Sequence, residues 1–165
     1  MLYLVEGLNS SGKTTWIENN KKIGDRHITT YYLNPLRWSR KKKELIQNGG
    51  IANYCLGCYE MLRTSLVNLP CDAYWDRTFI SAWVYYTINE DMFEYLCKEY
   101  LSVNTKVIFI DTDPQICMSR FKKNRKRYVS NFDWYGLRDR FHEAISKMKR
   151  IGYDIKVIPN YGATQ

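Results

Sequence analysis

The sequence has no apolar run that approaches the roughly 20 residues needed to cross a bilayer, so we expect no membrane partner. Its first residues, Met1-Leu2-Tyr3-Leu4-Val5, show neither the basic region nor the small-residue cleavage site of a signal peptide. The chain also lacks internal repeats, linkers and low-complexity segments. These absences, together with a length of 165 residues, predict one globular domain over residues 1–165, located in the cytoplasm.

Cysteine and histidine are few and poorly placed for a metal site. The five cysteines are an odd number, which fits a reduced compartment better than a disulfide framework. Cys55 and Cys58 have the spacing of a metal-binding or redox pair, but no second pair follows, and neither His27 nor His142 stands at ligand spacing. We therefore expect these two cysteines to be small residues of a packed helix.

Acidic residues are outnumbered, because the chain has 25 Lys and Arg against 17 Asp and Glu and a net charge of +8. Much of the excess lies in residues 37–43 and 120–127. A positive field attracts a polyanion such as a nucleotide, Mg-ATP or a nucleic acid, whereas a solvated basic surface is the alternative. Charge alone does not choose between these partners.

Strand-like and helix-like segments alternate along the chain, with five strands in all. Strands are predicted at 3–5, 28–33, 71–75, 106–110 and 154–158. Helices are predicted at 13–20, 35–48, 51–69, 79–86, 92–100, from 114 onward and at 134–150. Parallel neighbours need crossover connections, so this order predicts an α/β fold with a five-stranded parallel sheet and helices on both faces. Ligands of such sheets bind beyond the carboxyl ends of the strands.

The segment Gly7-Leu8-Asn9-Ser10-Ser11-Gly12-Lys13-Thr14 matches the phosphate-loop pattern G-x-x-x-x-G-K-[ST] in full. It follows a hydrophobic strand and opens a helix, a context that disfavours the alternative of an incidental glycine-rich turn. Its glycines let backbone amides face a phosphate, while Lys13 reaches the β- and γ-phosphates and the Thr14 hydroxyl ligates magnesium. We expect ATP and Mg²⁺ here, with ATP held by Gly7, Asn9, Ser10, Ser11, Gly12, Lys13, Thr14 and Thr15.

The run Trp75-Asp76-Arg77-Thr78-Phe79-Ile80-Ser81 ends the third strand, which we expect to lie beside the first. Asp76 would then emerge near the phosphate loop, where its carboxylate either holds magnesium or accepts the proton of a phosphoryl acceptor. The adjacent Arg77 can clamp a phosphate with two hydrogen bonds. An ordinary ion pair at a strand end is the alternative.

A third element is the basic run Arg120-Phe121-Lys122-Lys123-Asn124-Arg125-Lys126-Arg127. Phosphoryl transfer builds negative charge on the moving group, and arginines that close over it lower the barrier and exclude water. We predict a lid over about 120–133 with Arg120, Arg125 and Arg127 as its catalytic candidates. A solvated charge run is the alternative.

These three elements resemble the thymidylate kinase group of nucleoside and nucleotide kinases. The group has the pattern EGxDxxGK(S/T)T, which residues 6–15 follow except at Asn9, a DR(Y/H/S) motif, which Asp76-Arg77-Thr78 with Ser81 nearby resembles, and an arginine-bearing lid. The resemblance implies a three-layer P-loop NTPase fold. Since the loop holds Ser10 and Ser11 but no arginine, it also implies that the lid supplies the catalytic arginines.

The resemblance further implies an acceptor site, formed by Asn9, Arg37, Tyr54, Arg63, Arg77 and Ser81. Tyr54 and Arg63 stand on the helix that lines the base pocket in that group, and Arg63 resembles the arginine that reads the base edge. Two positions depart from the group. Asn9 replaces an aspartate that touches the acceptor sugar, and Asn34-Pro35-Leu36-Arg37 replaces a phosphate-binding REPG-like run, where Arg37 or Arg40 can substitute.

Three functions follow as hypotheses. The first is a thymidylate kinase-like enzyme that phosphorylates a (deoxy)nucleoside monophosphate, acting as a monomer or homodimer. The second is a kinase that phosphorylates a hydroxyl in DNA, on a modified base such as hydroxymethyluracil or at a 5′ end, which suits the basic charge. The third is a P-loop ATPase switch, against which the lack of an hhhhDE run and a sensor argues. A compact kinase with altered acceptor motifs also fits a phage genome.

Overall fold

The computed structural model describes residues 1–29, 50–66, 68–85, 88–124 and 133–160 of the chain. Helices and strands alternate through these residues as predicted. Their order is β1 (Leu2–Glu6), α1 (Lys13–Asn20), β2 (Arg26–Thr29), α2 (Ile51–Leu66), β3 (Ala73–Asp76), α3 (Phe79–Val84), α4 (Glu90–Leu101), β4 (Thr105–Thr112), α5 (Pro114–Asn124), α6 (Trp134–Ile151) and β5 (Asp154–Asn160).

The five strands of the described residues form one parallel sheet in the order β2-β3-β1-β4-β5. The central strand β1 therefore lies between β3 and β4, with Val5 opposite Asp76 and Glu6 opposite Phe109. Because all strands run the same way, their carboxyl ends share one edge of the sheet. This arrangement confirms the predicted α/β fold and the expectation that the third strand lies beside the first.

Alternate residues of β1 pack on opposite faces of the sheet, as the two-residue period of a strand requires. Leu2 and Leu4 belong to the larger core, in which Trp75, Phe79 and other aromatic rings pack against one another. Val5 belongs to a smaller cluster that α1 covers with Ile17. Both faces are therefore covered, which is the condition for a parallel sheet.

Side-chain caps fix where three helices begin. Thr78, Asn89 and Asp133 accept hydrogen bonds from the backbone amides of Ile80, Met92 and Gly136 at 3.2, 2.9 and 2.9 Å, respectively. Each cap satisfies one of the amide groups that the first helical turn leaves unpaired. The cap at Thr78 matters most for the site, because α3 then begins directly after the Asp76-Arg77 pair.

Several predicted boundaries differ from the structure. Strand β4 runs on to Thr112 rather than ending before Asp111, because β5 pairs with it as far as Asn160. The third strand spans Ala73–Asp76 rather than 71–75. The helix predicted at 35–48 and residues 30–33 of the second predicted strand lie outside the described residues. Among those that are described, no helix combines the length and apolar character that crossing a membrane requires.

Candidate active site

The phosphate loop connects β1 to α1 and depends on two glycines whose backbone lies in the left-handed region. Gly7 has φ of 144°, and a Cβ atom there would lie 2.5 Å from the carbonyl oxygen of Ile110. Gly12 has φ of 98°, and its Cβ would lie 2.9 Å from the side-chain nitrogen of Asn160. Larger residues therefore meet both backbone strain and a close neighbour at these two positions.

Lys13, the first residue of α1, turns its ammonium group back into the loop. Its Nζ donates hydrogen bonds to the carbonyl oxygens of Gly7 and Leu8 at 3.0 and 2.7 Å, and to Ser11 Oγ at 3.4 Å. Burial, followed by the nearby Arg77 charge, lowers the pKa of Lys13 to about 7. A buried cation with no described carboxylate in hydrogen-bond contact is suited to an anionic ligand.

Three side chains hold the phosphate loop at the carbonyl oxygens of Ser10 and Ser11. Two of them stand at strand ends and the third on a helix. Thr112 Oγ1 and Asn160 Nδ2 both donate to the Ser11 carbonyl at 2.9 Å, and Arg120 Nη1 donates to the Ser10 carbonyl at 3.4 Å. Of these three residues, only Arg120 was predicted from the sequence. Thr112 and Asn160 are each the polar last residue of a strand at the ligand-binding edge, but the predicted strands end two residues earlier, at 110 and 158, so the sequence did not place either residue at that edge.

Asp76 ends β3 next to the start of α1. Its Oδ2 accepts a hydrogen bond from Thr14 Oγ1 at 3.0 Å, so the two predicted magnesium ligands do lie together. The carboxylate is 1% exposed, and its Oδ1 has no hydrogen-bond partner in the described part of the chain. Mg²⁺ prefers one or two carboxylate oxygens supplemented by water and substrate phosphates, and this pair of residues fits that requirement.

Arg77 follows Asp76 and has φ of 67°, a conformation that is unusual for a residue with a side chain. It is 6% exposed, and its Nη2 donates a hydrogen bond to Asn9 Oδ1 on the phosphate loop. Burial raises the pKa of the Tyr85 hydroxyl, while the neighbouring Arg77 charge opposes that rise. The guanidinium therefore lies between the phosphate loop and α3, with a neutral amide as its loop partner.

Glu6 lies directly before the loop and is completely buried. Its Oε1 accepts hydrogen bonds from the backbone N–H and hydroxyl of Thr78, and its Oε2 accepts one from the hydroxyl of Ser81 at 2.6 Å. Burial raises the pKa of Glu6, and these hydrogen bonds oppose that rise. Glu6 belongs to the motif that carries the family resemblance but has no predicted role, and the resemblance implies an acceptor-binding role for Ser81.

The remaining predicted residues lie apart from this group or outside the described residues. Tyr54 is 37% exposed in the first half of α2. Arg63 lies near the other end of α2 and forms ion pairs with Glu60 at 3.5 Å and Glu99 at 3.2 Å. Glu99 belongs to the end of α4, which leads into the amino end of β4, so the structure does not bring Arg63 to the phosphate loop. Residues outside the described ranges are Arg37, Arg40, Arg125 and Arg127.

The fold and the loop together define an α/β P-loop protein, with the phosphate loop at the carboxyl edge of a five-stranded parallel sheet. No protein-family model matches the sequence, and no curated protein matches it significantly. Solved structures do match over almost the whole chain.

One similar structure is that of the Bacillus subtilis YorR protein in complex with phosphorylated GDP, with a TM-score of 0.67 and 16% identity over 96% of this chain and 85% of that chain. Another is deoxyadenosine kinase from M. mycoides. With bound dATP it gives a TM-score of 0.60 and 20% identity over 99% of this chain and 93% of that chain. The structure of the same kinase with the products dCMP and dCDP gives a TM-score of 0.58 and 21% identity, over 96% of this chain and 90% of that chain. At these identities the likeness shows a shared fold.

Proposed function

We propose that this chain is an ATP-dependent phosphotransferase that moves the γ-phosphoryl group of ATP onto a (deoxy)nucleoside monophosphate, as thymidylate kinase-like enzymes do. One observation carries the proposal: Lys13, Asp76 and Arg77 converge on a single glycine-rich loop at the carboxyl edge of a parallel sheet. Lys13 provides positive charge for the triphosphate, and Arg77 provides it for the acceptor phosphate. The Asp76 carboxylate provides a metal ligand. The nucleotides bound to the proteins of similar fold support this class of substrate.

In this reaction residues 7–15 bind the triphosphate, and Lys13 leaves the loop carbonyls to neutralise its terminal phosphates. An oxygen of the acceptor phosphate attacks the γ-phosphorus, and the bond from that phosphorus to the β–γ bridging oxygen breaks. The products are ADP and a nucleoside diphosphate. The second pKa of a phosphate monoester is about 6, so the attacking oxygen is mostly ionised at neutral pH and needs no base.

Thr14 and Asp76 are the residues that would hold Mg²⁺, which when bound neutralises charge on phosphate oxygens. Arg77 is proposed to bind the acceptor phosphate, since its buried guanidinium lies against the phosphate loop at Asn9. Arg120 already contacts the loop at Ser10. We propose that it acts with Arg125 and Arg127 of the lid on the transferred group, because positive charge there stabilises the transition state.

The acceptor site is proposed to include Asn9, Arg37, Tyr54, Arg77 and their neighbours. Ser81 and Arg63 were also predicted there, but both have other partners: the Ser81 hydroxyl donates to Glu6, and Arg63 pairs with Glu99. Their participation would require these contacts to break. We therefore expect Asn9 and Arg77 to contribute more to acceptor binding than Arg63.

A second candidate is transfer to a hydroxyl in DNA, which two observations favour. The net charge of +8 suits a polyanion. A hydroxyl acceptor also has a proton to lose, and Asp76 Oδ1 is a buried carboxylate oxygen with no described hydrogen-bond donor. In that reaction Asp76 would act as the base rather than only as a metal ligand.

Labelled ATP offered to a panel of nucleoside monophosphates, nucleosides and DNA oligomers tests both candidates. We expect transfer to a monophosphate with weak salt dependence, whereas a DNA acceptor gives turnover that falls steeply with salt. Lys13→Ala should abolish transfer and leave the fold intact. Lys21→Ala is the matched control, because it removes a partly exposed lysine paired with Glu18 at the end of α1. Hydrolysis without any acceptor, or full activity of Lys13→Ala, would contradict the proposal.

A further inference from the structure

We propose that Glu6 is a positioning residue for phosphoryl transfer: its carboxylate holds the segment Asp76–Thr78 against the phosphate loop and so fixes Arg77 for the acceptor. The inference rests on the proposed function and adds Glu6 to the residues that support phosphoryl transfer. Glu6 itself is completely buried, so it acts through its neighbours and touches no reactant.

The hydrogen bonds of Glu6 all reach one short stretch of chain. Oε1 accepts from the Thr78 backbone N–H at 2.5 Å, from Thr78 Oγ1 at 2.7 Å and from the Ser81 backbone N–H at 3.4 Å. Oε2 accepts from Ser81 Oγ at 2.6 Å. Four donors on one acceptor-only group match the capacity of an ionised carboxylate. Glu6 therefore joins the end of β1 to the first turn of α3.

Arg77 lies between two fixed points, which explains how it keeps its left-handed backbone conformation. On one side Asp76 pairs with Val5 across the sheet, and the Arg77 backbone N–H donates to the Val5 carbonyl at 3.3 Å. On the other side Thr78 is held by Glu6. A strained residue persists only where its surroundings determine its conformation, and here Glu6 holds the residue that follows Arg77.

The contact between Glu6 and Thr78 also affects the position of Arg77 relative to the phosphate loop. Gly7 follows Glu6 directly, and the Arg77 guanidinium donates to Asn9 two residues later. A displacement of the Thr78 end would therefore shift Arg77 relative to Asn9 and the bound phosphates. Small misplacements of a substrate-holding group lower rates strongly, by about 100-fold for 1 Å.

Glu6→Gln is the principal test, with Glu18→Gln as the control, because Glu18 is a half-exposed carboxylate on α1 that pairs with Lys21. Glutamine keeps the size of the side chain but loses the charge and one acceptor position. We expect kcat/KM for the nucleotide acceptor to fall by about 10- to 100-fold, and affinity for an unreactive ATP analogue to change by less than about threefold. Glu18→Gln should change neither quantity.

A double-mutant cycle separates positioning from a general loss of stability. If Glu6 acts through Arg77, the Glu6→Gln change should lower activity by less than about twofold once Arg77 is alanine, because the position it fixes is no longer used. Independent effects would instead multiply. The inference would be overturned if the loss of activity in the double variant equalled the product of the two single losses. It would also be overturned if Glu6→Gln kept the acceptor kinetics of the wild type.

Ser81→Ala keeps the inference testable if Glu6→Gln fails to fold. It removes the 2.6 Å donor and leaves the carboxylate with three others, so it should lower acceptor kcat/KM in the same direction and by a smaller factor. Unchanged acceptor kinetics in Ser81→Ala would then overturn the inference. Failure of the proposed function is recognised separately, because the wild-type protein would then transfer no phosphoryl group to any nucleotide.

Discussion

The pKa of Lys13 makes affinity for a triphosphate depend on pH in a calculable way. Burial lowers this pKa to about 7 in the ligand-free protein. Phosphate charge beside the ammonium would raise it again, so binding takes up a proton above pH 7. The charged fraction of Lys13 is then about one half at pH 7, one in eleven at pH 8 and one in a hundred at pH 9.

The dissociation constant should therefore rise about fivefold from pH 7 to pH 8 and about tenfold from pH 8 to pH 9, where a tenfold change is about 1.4 kcal/mol. The sign follows from the direction of the shift: affinity is full below the pKa of the free protein and is lost as pH rises past it. Above pH 7 the phosphates are already ionised, so their own titration contributes little.

Titration calorimetry with an unreactive ATP analogue measures this effect directly. EDTA in the buffer removes divalent metals, so that the lysine is tested without competition from metal binding. Repeating the titration in buffers of different ionisation enthalpy gives the number of protons taken up, which should approach one at pH 8. Lys13→Gln should bind weakly and with no such pH dependence. A wild-type dissociation constant that stays level from pH 7 to pH 9, without proton uptake, would refute the reasoning.

Two further predictions concern the loop and the metal. Gly7→Ala should destabilise the fold by about 3 kcal/mol or more in urea unfolding, since its Cβ would meet the β4 carbonyl at 2.5 Å. Gly24→Ala, with φ of 95° and no atom within 4 Å of its Cβ, should cost only backbone strain of about 1–2 kcal/mol, and equal losses would argue against the close contact. Asp76→Asn should reduce the gain in ATP-analogue affinity on adding Mg²⁺ by about tenfold or more, whereas Asp72→Asn, which alters an exposed ion pair with the amino terminus, should leave it unchanged. An undiminished gain in Asp76→Asn would remove that residue from the metal site.

The sequence by itself determined the phosphate loop and the class of fold. The loop is a contiguous motif, and its glycines, lysine and threonine act through the local backbone between β1 and α1. The alternation of strands and helices likewise requires a parallel sheet, because each connection must cross over. The order of residues along the chain is sufficient to predict both the phosphate loop and the fold class.

The tertiary structure alone decided which distant residues complete the site. Glu6 meets Ser81 and Thr112 meets Ser11 only because β1 lies between β3 and β4, and these pairs are 75 and 101 residues apart in the chain. Helix packing likewise pairs Arg63 of α2 with Glu99 of α4, a contact that a family resemblance could not reveal. Contacts across such separations depend on strand order and helix packing, and no local pattern of residues encodes the partner of a particular side chain.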